Sequence, residues 1–371
     1  MVILHIIDTL RRGGTEILLL DTCIELRELK HTSIVYCSEE SPMVNEFREN
    51  GIQVIVQKRT RSIDLQYLRR LREIVLQEGV DIVHCHQSLG TFYALIVLFK
   101  RVPIVSTIHS LSPKLHHRLL NSLVIRLSTA NILVSSSVRS AIQRMLWLQN
   151  IPNEFVVYNG ISSKRLQDVS LNTLRDELSI SDSDVLLGMI GNFYYVKDQL
   201  TVCKAVNELH IRGVKVHCVF VGHGDRNSNE YVQCESYIQD NELEHYVHFL
   251  GERQDIVRIL RSLDLFVFST NSDTFGIALI EAMMLGIPSI ASDIEVMREI
   301  TCNGLYAPLF ERKNYEQAAD CIHDAISNTE KSQQRAISAC AYVKSEFTIE
   351  RHVQRMLDVY HESVEYHSRK K

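Results

Sequence analysis

The stretch DLFVFSTNSDTFGIALIEAMMLGIPSIASD, Asp264 to Asp293, decides the fold. Leu265–Ser269 is an apolar, aromatic run that reads as a strand. A polar loop leads into a helical run, Ile277–Leu285, which Gly286 and Pro288 stop before a second strand-like run, Ser289–Ala291. That is one βαβ unit. Glu281 stands between Ile280 and Ala282 in an otherwise apolar helix. Glutamate is rarely buried without a partner, and a polar ligand arriving from outside would supply one. The plainer alternative is a glutamate snorkelling from the rim of a buried helix. Asp273, eight positions earlier, lies in the loop that opens the same helix.

The same alternation extends in both directions. Strand candidates upstream are Val2–Ile7, Ser33–Cys37, Val54–Gln57, Asp81–Cys85, Ile104–His109, Ile132–Ser135 and Val156–Tyr158. Helical patterns such as Glu16–Leu29, Leu65–Leu76 and Leu115–Leu127 fill the gaps, as in an open parallel sheet covered on both faces. After a polar segment, Ser162–Asp184, the rhythm restarts with Leu186–Ile190, Val216–Val221, Val247–Leu250, Leu265–Ser269, Ser289–Ala291 and Leu305–Ala307. The boundary is expected near Ile161–Asp168, giving domains 1–165 and 166–348. A terminal segment, 349–371, contains an amphipathic helix, Ile349–Tyr366, with Val353, Met356, Leu357 and Tyr360 at core spacing.

The 371 residues allow two ordinary domains, and 45% hydrophobic with 23% charged residues is a globular balance. The start, Met1–Ile7, reaches Asp8 without a basic region, so no signal peptide is expected. No apolar run approaches the roughly 20 residues of a membrane span; the longest, Thr91–Phe99, ends at Lys100-Arg101. The 9 cysteines are scattered without zinc spacing and read as reduced structural thiols. Cys85 lies between His84 and His86, and strand neighbours point to opposite faces, so those three do not chelate together easily. A cytoplasmic protein is the expectation. Met1–Arg165 holds 20 Lys and Arg against 14 Asp and Glu, while the remainder holds 20 against 31, which suggests different partners for the two halves.

Ligands of open parallel sheets bind at the carboxyl ends of the strands. After the first strand, Gly13-Gly14 at a helix start lets backbone amides approach an anion, or simply makes a tight turn. This is not Gly-x-Gly-x-x-Gly, which argues against a dinucleotide dehydrogenase. The second domain opens with Gly191-Asn192 and, five residues after Asn192, Lys197, a point charge suited to phosphate or an ordinary surface lysine. Gly222 begins a Gly-His-Gly turn after the next strand, and His109 follows a strand in the first half.

Asp273 and Glu281, spaced around Phe275-Gly276 and followed by Ala282-Met283 and Gly286-Ile287-Pro288, resemble the acidic pair of retaining glycosyltransferases of family 4. The usual pattern begins with Glu where this chain has Asp273, and relatives have Arg where it has Asn192. The resemblance implies an α/β fold of the GT-B class: two Rossmann-like doubly wound parallel-sheet domains facing across a cleft, with a C-terminal helix crossing back to the first. The first domain would bind the acceptor and the second the nucleotide sugar.

By the same resemblance, Lys197 clamps the donor diphosphate, Glu281 accepts from the ribose hydroxyls, Asp273 sits by the donor sugar, and His109 faces it. Gly13 and Gly14 touch the diphosphate or the acceptor. Gly191, Asn192 and Gly222 lie near the nucleotide, as do Thr274, Phe275, Gly276 and Ile277, whose amides would stabilise the departing diphosphate. Arg253 is counted with the donor residues because Phe249–Arg253 should lie beside the base; the family uses backbone groups there, so it is no specificity code. No cofactor or metal is required, since no Asp-x-Asp motif of the metal-dependent type is seen.

The implied reaction is metal-independent transfer, with retention, from a nucleotide-diphosphate sugar to a saccharide acceptor, lipid-linked in this reading, in cell-surface polysaccharide synthesis. Nucleic acid is not an expected partner. Lys114 and the run Leu115–Arg126 either rest on anionic lipid headgroups or form an internal helix with a basic rim. A degenerate nucleotide-sugar binder and a 2-epimerase of the same fold are the alternatives.

Overall fold

The computed structural model describes residues 1–61, 63–109, 114–146, 148, 150–167 and 174–369. Ser110, next to His109, and residues 168–173 of the segment Ser162–Asp184 lie outside the described residues, as do the last two positions of the terminal segment. The chain divides into two compact units, Met1–Ser162 with Phe347–Lys371, and Ser163–Glu346.

The first unit holds β1 (Val2–Ile6), β2 (Thr32–Cys37), β3 (Gln53–Val56), β4 (Ile82–Cys85), β5 (Ile104–Ile108), β6 (Ala130–Leu133) and β7 (Glu154–Val156). They form one parallel sheet in the order β3-β2-β1-β4-β5-β6-β7, a doubly wound arrangement. Alternation along β1 explains its two faces. Leu4 and Ile6 join a core with Tyr36, Leu71 and Tyr93, while Ile3 packs with Ile82, Ile132 and the terminal helix Ile349–Arg369. That helix belongs to the first unit and buries Val353, Met356, Leu357 and Tyr360, as its periodicity predicts. Its entry is tied by Ile349 N–H to Ile161 O (3.1 Å) and Ile161 N–H to Phe347 O (2.8 Å). Asn159-Gly160 reads from sequence as turn chemistry, but the structure gives Gly160 another reason: a Cβ there would meet Thr348 O at 2.5 Å.

The second unit holds β8 (Val185–Ile190), β9 (Val216–Val221), β10 (Val247–Gly251), β11 (Leu265–Phe268), β12 (Ser289–Ser292) and β13 (Leu309–Phe310), parallel in the order β10-β9-β8-β11-β12-β13. Its last strand is displaced from the expected Leu305–Ala307. Leu305 is exposed, and Tyr306 N–H closes a turn on Thr301 O. The ladder to β12 is made by Leu309 and Phe310 instead, because Phe310 is the side chain that fills the core against the helix Tyr315–Ser327. Among the described residues no helix is long and apolar enough to cross a membrane.

Candidate functional site

The opening βαβ unit places its acidic residues as follows. The helix Ile277–Met284 buries Leu279, Ile280, Ala282, Met283 and Met284, so only its ends reach polar surroundings. Gly276 caps its start with φ 89°, and Gly286 ends it: Gly286 N–H bonds Met283 O (3.0 Å) and Ile287 N–H bonds Ala282 O (3.0 Å), a Schellman motif. Glu281 is buried on this helix, but its partner comes from within the chain. Arg165 Nη2 donates to Glu281 Oε1 at 2.8 Å. An outside ligand is the expected partner for Glu281; within the chain Arg165 already supplies one. Arg165 escapes sequence reading because it is 116 residues distant; the signal available was only that a buried carboxylate needs a cation.

Asp273 is held at the mouth of the same helix. Its Oδ1 accepts from the amides of Thr274 (2.7 Å) and Phe275 (3.1 Å), and its Oδ2 accepts from Lys197 Nζ at 2.6 Å. Burial alone would raise this carboxyl; the Lys197 ammonium and the two amides outweigh it and hold it below the usual carboxylate range. Lys197 also lies over the Phe268 ring, 4.3 Å from its centroid. Lys197 reaches this point because the loop after β8 folds back on itself, with Lys197 N–H on Tyr194 O and Asp198 N–H on Ser269 O.

Next to it, Gly191 N–H bonds Val221 O at 2.8 Å, and a Cβ on Gly222 would meet Gly191 O at 2.5 Å. Asn192 accepts the His223 amide on its Oδ1 at 2.8 Å, so in this structure its side chain ties the two glycine turns together. The structure thus gathers Lys197 and Asp273 directly, and packs Gly191 against Gly222. Phe275 is buried, while Thr274 and Ile277 are half-buried around the helix start.

Arg253 is committed elsewhere. It makes bidentate pairs with Glu177 (2.7 and 3.0 Å) and Asp255 (2.8 and 2.7 Å), fastening the helix Leu174–Leu178 to the loop after β10. The Arg253 guanidinium pulls the Asp255 carboxyl well below its usual range, so its charge is already matched within the fold. Asp182-Ser183-Asp184 does have Asp-x-Asp spacing, yet it lies just before β8, at the amino end of the sheet, away from the loops just described.

In the first unit, Gly13 caps and Gly14 opens the helix Gly14–Glu28. Glu16 folds back there: a Cβ on Gly13 would meet Glu16 Oε2 at 2.7 Å, and burial pushes the Glu16 carboxyl up to about 7. His109 follows β5 and stacks on His86, with ring centroids 5.6 Å apart; burial pushes it down to about 3. His5, on β1, is a further member of this cluster that the sequence did not single out; it becomes visible only when β1 pairs with β4.

Two family models account for most of the chain: Glycosyltransferase Family 4 matches residues 12–165, and Glycosyl transferases group 1 matches residues 172–340. The chain belongs to the group 1 glycosyltransferases. This glycosyltransferase is 24% identical over 310 residues to the N-acetyl-alpha-D-glucosaminyl L-malate synthase of Bacillus anthracis, covering 81% of the chain and 79% of the relative. It is 24% identical over 277 residues to an Escherichia coli UDP-Gal:alpha-D-GlcNAc-diphosphoundecaprenol alpha-1,3-galactosyltransferase, covering 70% of each. Its fold matches Anabaena HepE, solved with UDP and glucose, at a TM-score of 0.84 and 20% identity over 96% of the chain and 98% of that structure. It is therefore a glycosyltransferase of the GT-B type, related to enzymes of polysaccharide and glycolipid synthesis.

Proposed function

We propose that this glycosyltransferase moves a sugar, with retention and without a metal, from a nucleotide-diphosphate sugar to a lipid-linked saccharide acceptor in cell-surface polysaccharide synthesis. The observation that carries this reading is Lys197 paired with Asp273 at the N-terminus of the helix Ile277–Met284. A lysine ammonium has three N–H donors, of which Asp273 takes one, and a helix N-terminus favours an anion. Together they suit a diphosphate whose negative charge grows as the sugar departs. Glu281, buried and oriented by Arg165, keeps acceptor capacity for the ribose hydroxyls. Asp273 and His109 act at the sugar, Gly13 and Gly14 at the diphosphate or acceptor, and the second unit is the donor domain. The relatives support both substrate classes: the E. coli enzyme is named for a diphosphoundecaprenol acceptor, and HepE was solved with UDP, the nucleotide part of a donor.

The membrane side of the proposal rests on the helix Leu115–Leu127. Leu115, Leu119, Leu123 and Leu127 recur every four residues and are all exposed, rimmed by Lys114, His116, His117 and Arg126. On the neighbouring helix Ser88–Leu98, Ile96 is exposed too, followed by Phe99, Lys100 and Arg101. An apolar stripe with a basic rim is matched by an anionic lipid surface. Sedimentation should show binding to vesicles containing phosphatidylglycerol, weakened by Leu119→Asp with Leu123→Asp; equal recovery of both proteins would overturn it.

A thermal-shift screen against UDP-, GDP-, ADP- and CMP-sugars tests the donor site. Stabilisation by one nucleotide sugar that disappears in Lys197→Ala is the expected result, followed by transfer to a diphosphoprenyl saccharide. Equal stabilisation of both proteins would remove Lys197 from the site.

A further inference from the structure

Five histidines meet at the carboxyl ends of β1, β4 and β5, and the reading above uses only His109. His5 is the register partner of His84, His86 continues β4 with its amide on Ile6 O (2.9 Å), and His352 joins from the terminal helix with its Nδ1 on Tyr158 O (2.7 Å). His5, His84, His86 and His352 are buried. Burial pushes His5 and His109 down to about 3 and His352 to about 4, and holds His84 and His86 well below the ordinary histidine value. All five are therefore uncharged near neutral pH. A neutral imidazole has one N–H and one accepting nitrogen.

His84 has both nitrogens occupied by hydroxyls, Tyr360 Oη and Thr107 Oγ1, each at 2.6 Å. One ring nitrogen each of His5, His84 and His86 lies within 4.8 Å of the other two, close enough for a metal ion. The saturation of His84 favours a hydrogen-bonded chain over that arrangement. The chain is linear: His5 Nδ1 to His86 Nε2 at 3.2 Å, then His86 Nδ1 to His109 Nε2 at 3.3 Å. Three rings with one proton each must donate in one direction. The far nitrogen, His5 Nε2, is buried with no hydrogen-bond partner. Donation towards His5 would strand an N–H there, whereas donation away from it strands only a lone pair. Buried orphan N–H groups are the rarer of the two.

We infer that His86, oriented by His5, is a positioning residue that donates to His109 Nε2 and so holds His109 with its proton on Nδ1. The ring of His109 is then held in its Nδ1–H form, with Nε2 already engaged by His86 and so not a base. The catalytic consequence rests on the role proposed for His109 above; the proton placement does not.

Long-range 1H–15N spectra of protein carrying 15N-labelled histidine read the placement directly. Wild type at pH 7 should show His109 protonated at Nδ1 and bare at Nε2. His86→Leu should shift His109 towards the Nε2–H form and lower turnover of UDP-glucose, UDP-galactose or GDP-mannose, whichever is used, by about tenfold at unchanged KM, less than the loss of a positioned proton-transfer group itself. His86→Asn keeps an N–H donor near the Nδ1 position and should recover both readouts. A wild-type Nε2–H form overturns the inference without any variant, should His86→Leu not fold. A folded His86→Leu with His109 unchanged overturns it equally. If the proton moves as expected but neither His86→Leu nor His109→Ala alters turnover, the proton placement stands and His109 loses its part in the proposed transfer.

Discussion

The loops at the carboxyl ends of the two sheets keep their buried polar groups in opposite ways. In the second unit, charges are retained and matched: Lys197 with Asp273, and Arg165 with Glu281. In the first, the ionisable rings of His5, His84, His86, His109 and His352 are kept neutral by burial and hydrogen-bond to one another, to hydroxyls or to a carbonyl, leaving His5 Nε2 without a partner. A paired charge can exchange its internal partner for an anionic ligand, while a neutral network gives orientation at little electrostatic cost. In the proposed function, the first arrangement would hold the diphosphate and the second would hold the sugar.

The contrast breaks most readily at Lys197. Lys197→Ala leaves Asp273 half-buried among amides without its cation, and transfer should fall by two or more orders of magnitude, since it removes charge stabilisation that grows in the transition state. Glu281→Ala should fall comparably with its circular dichroism preserved. Full transfer by both variants would dissolve the matched-charge side of the comparison.

Arg165→Met tests whether pairing is what makes Glu281 tolerable. Removing one partner of a buried pair costs about 3 kcal/mol or more, measurable by urea unfolding. Arg165→Met with Glu281→Leu should regain most of that. A single variant as stable as wild type would mean that Glu281 finds water instead.

Acid titration separates the two sides by sign. Burial holds the five histidines below their ordinary value, so the unfolded chain takes up protons that the folded chain refuses. Their stabilisation is complete above about pH 6.5 and is lost as pH falls, at about 1.4 kcal/mol per pH unit for each neutral ring. Asp273 is also depressed, by Lys197 and its amides against burial, so its contribution stays whole until pH falls to the usual carboxylate range and is lost below it. Unfolding followed between pH 7 and 5 should be flattened by His5→Gln and untouched by Asp273→Asn. The reverse pattern would invert the comparison.

The smallest effect belongs to Glu16. Its carboxyl is pushed up by burial, to about 7, so the folded state binds the extra proton and stability falls as pH rises from the ordinary glutamate value through 7. Glu16→Gln should therefore raise Tm at pH 8 by a few degrees, and by less at pH 5. An equal change at both would mean that the carboxyl is hydrated.

Much of this was legible in the chain itself. Runs such as Val216–Val221 and Leu115–Leu127 coincide with observed elements because apolar periodicity and breakers act locally. The Leu305–Ala307 run misled because an apolar tripeptide does not reveal whether it or Leu309-Phe310 reaches the sheet edge. At the candidate site, Asp273, Glu281 and Lys197 stood out by type and spacing, yet Arg165 did not, nor did the commitment of Arg253 to Glu177 and Asp255.

By itself the sequence determined the two parallel sheets, the terminal amphipathic helix and the residue types able to meet a nucleotide sugar, because strand and helix periods and glycine stops are properties of neighbouring residues. Only the tertiary structure decided which charges are already paired, which histidine nitrogens touch, and that Leu115, Leu119, Leu123 and Leu127 face outward. Those facts depend on strand order and register, which bring His5 beside His84 and Arg165 to Glu281 across long separations that no local pattern encodes.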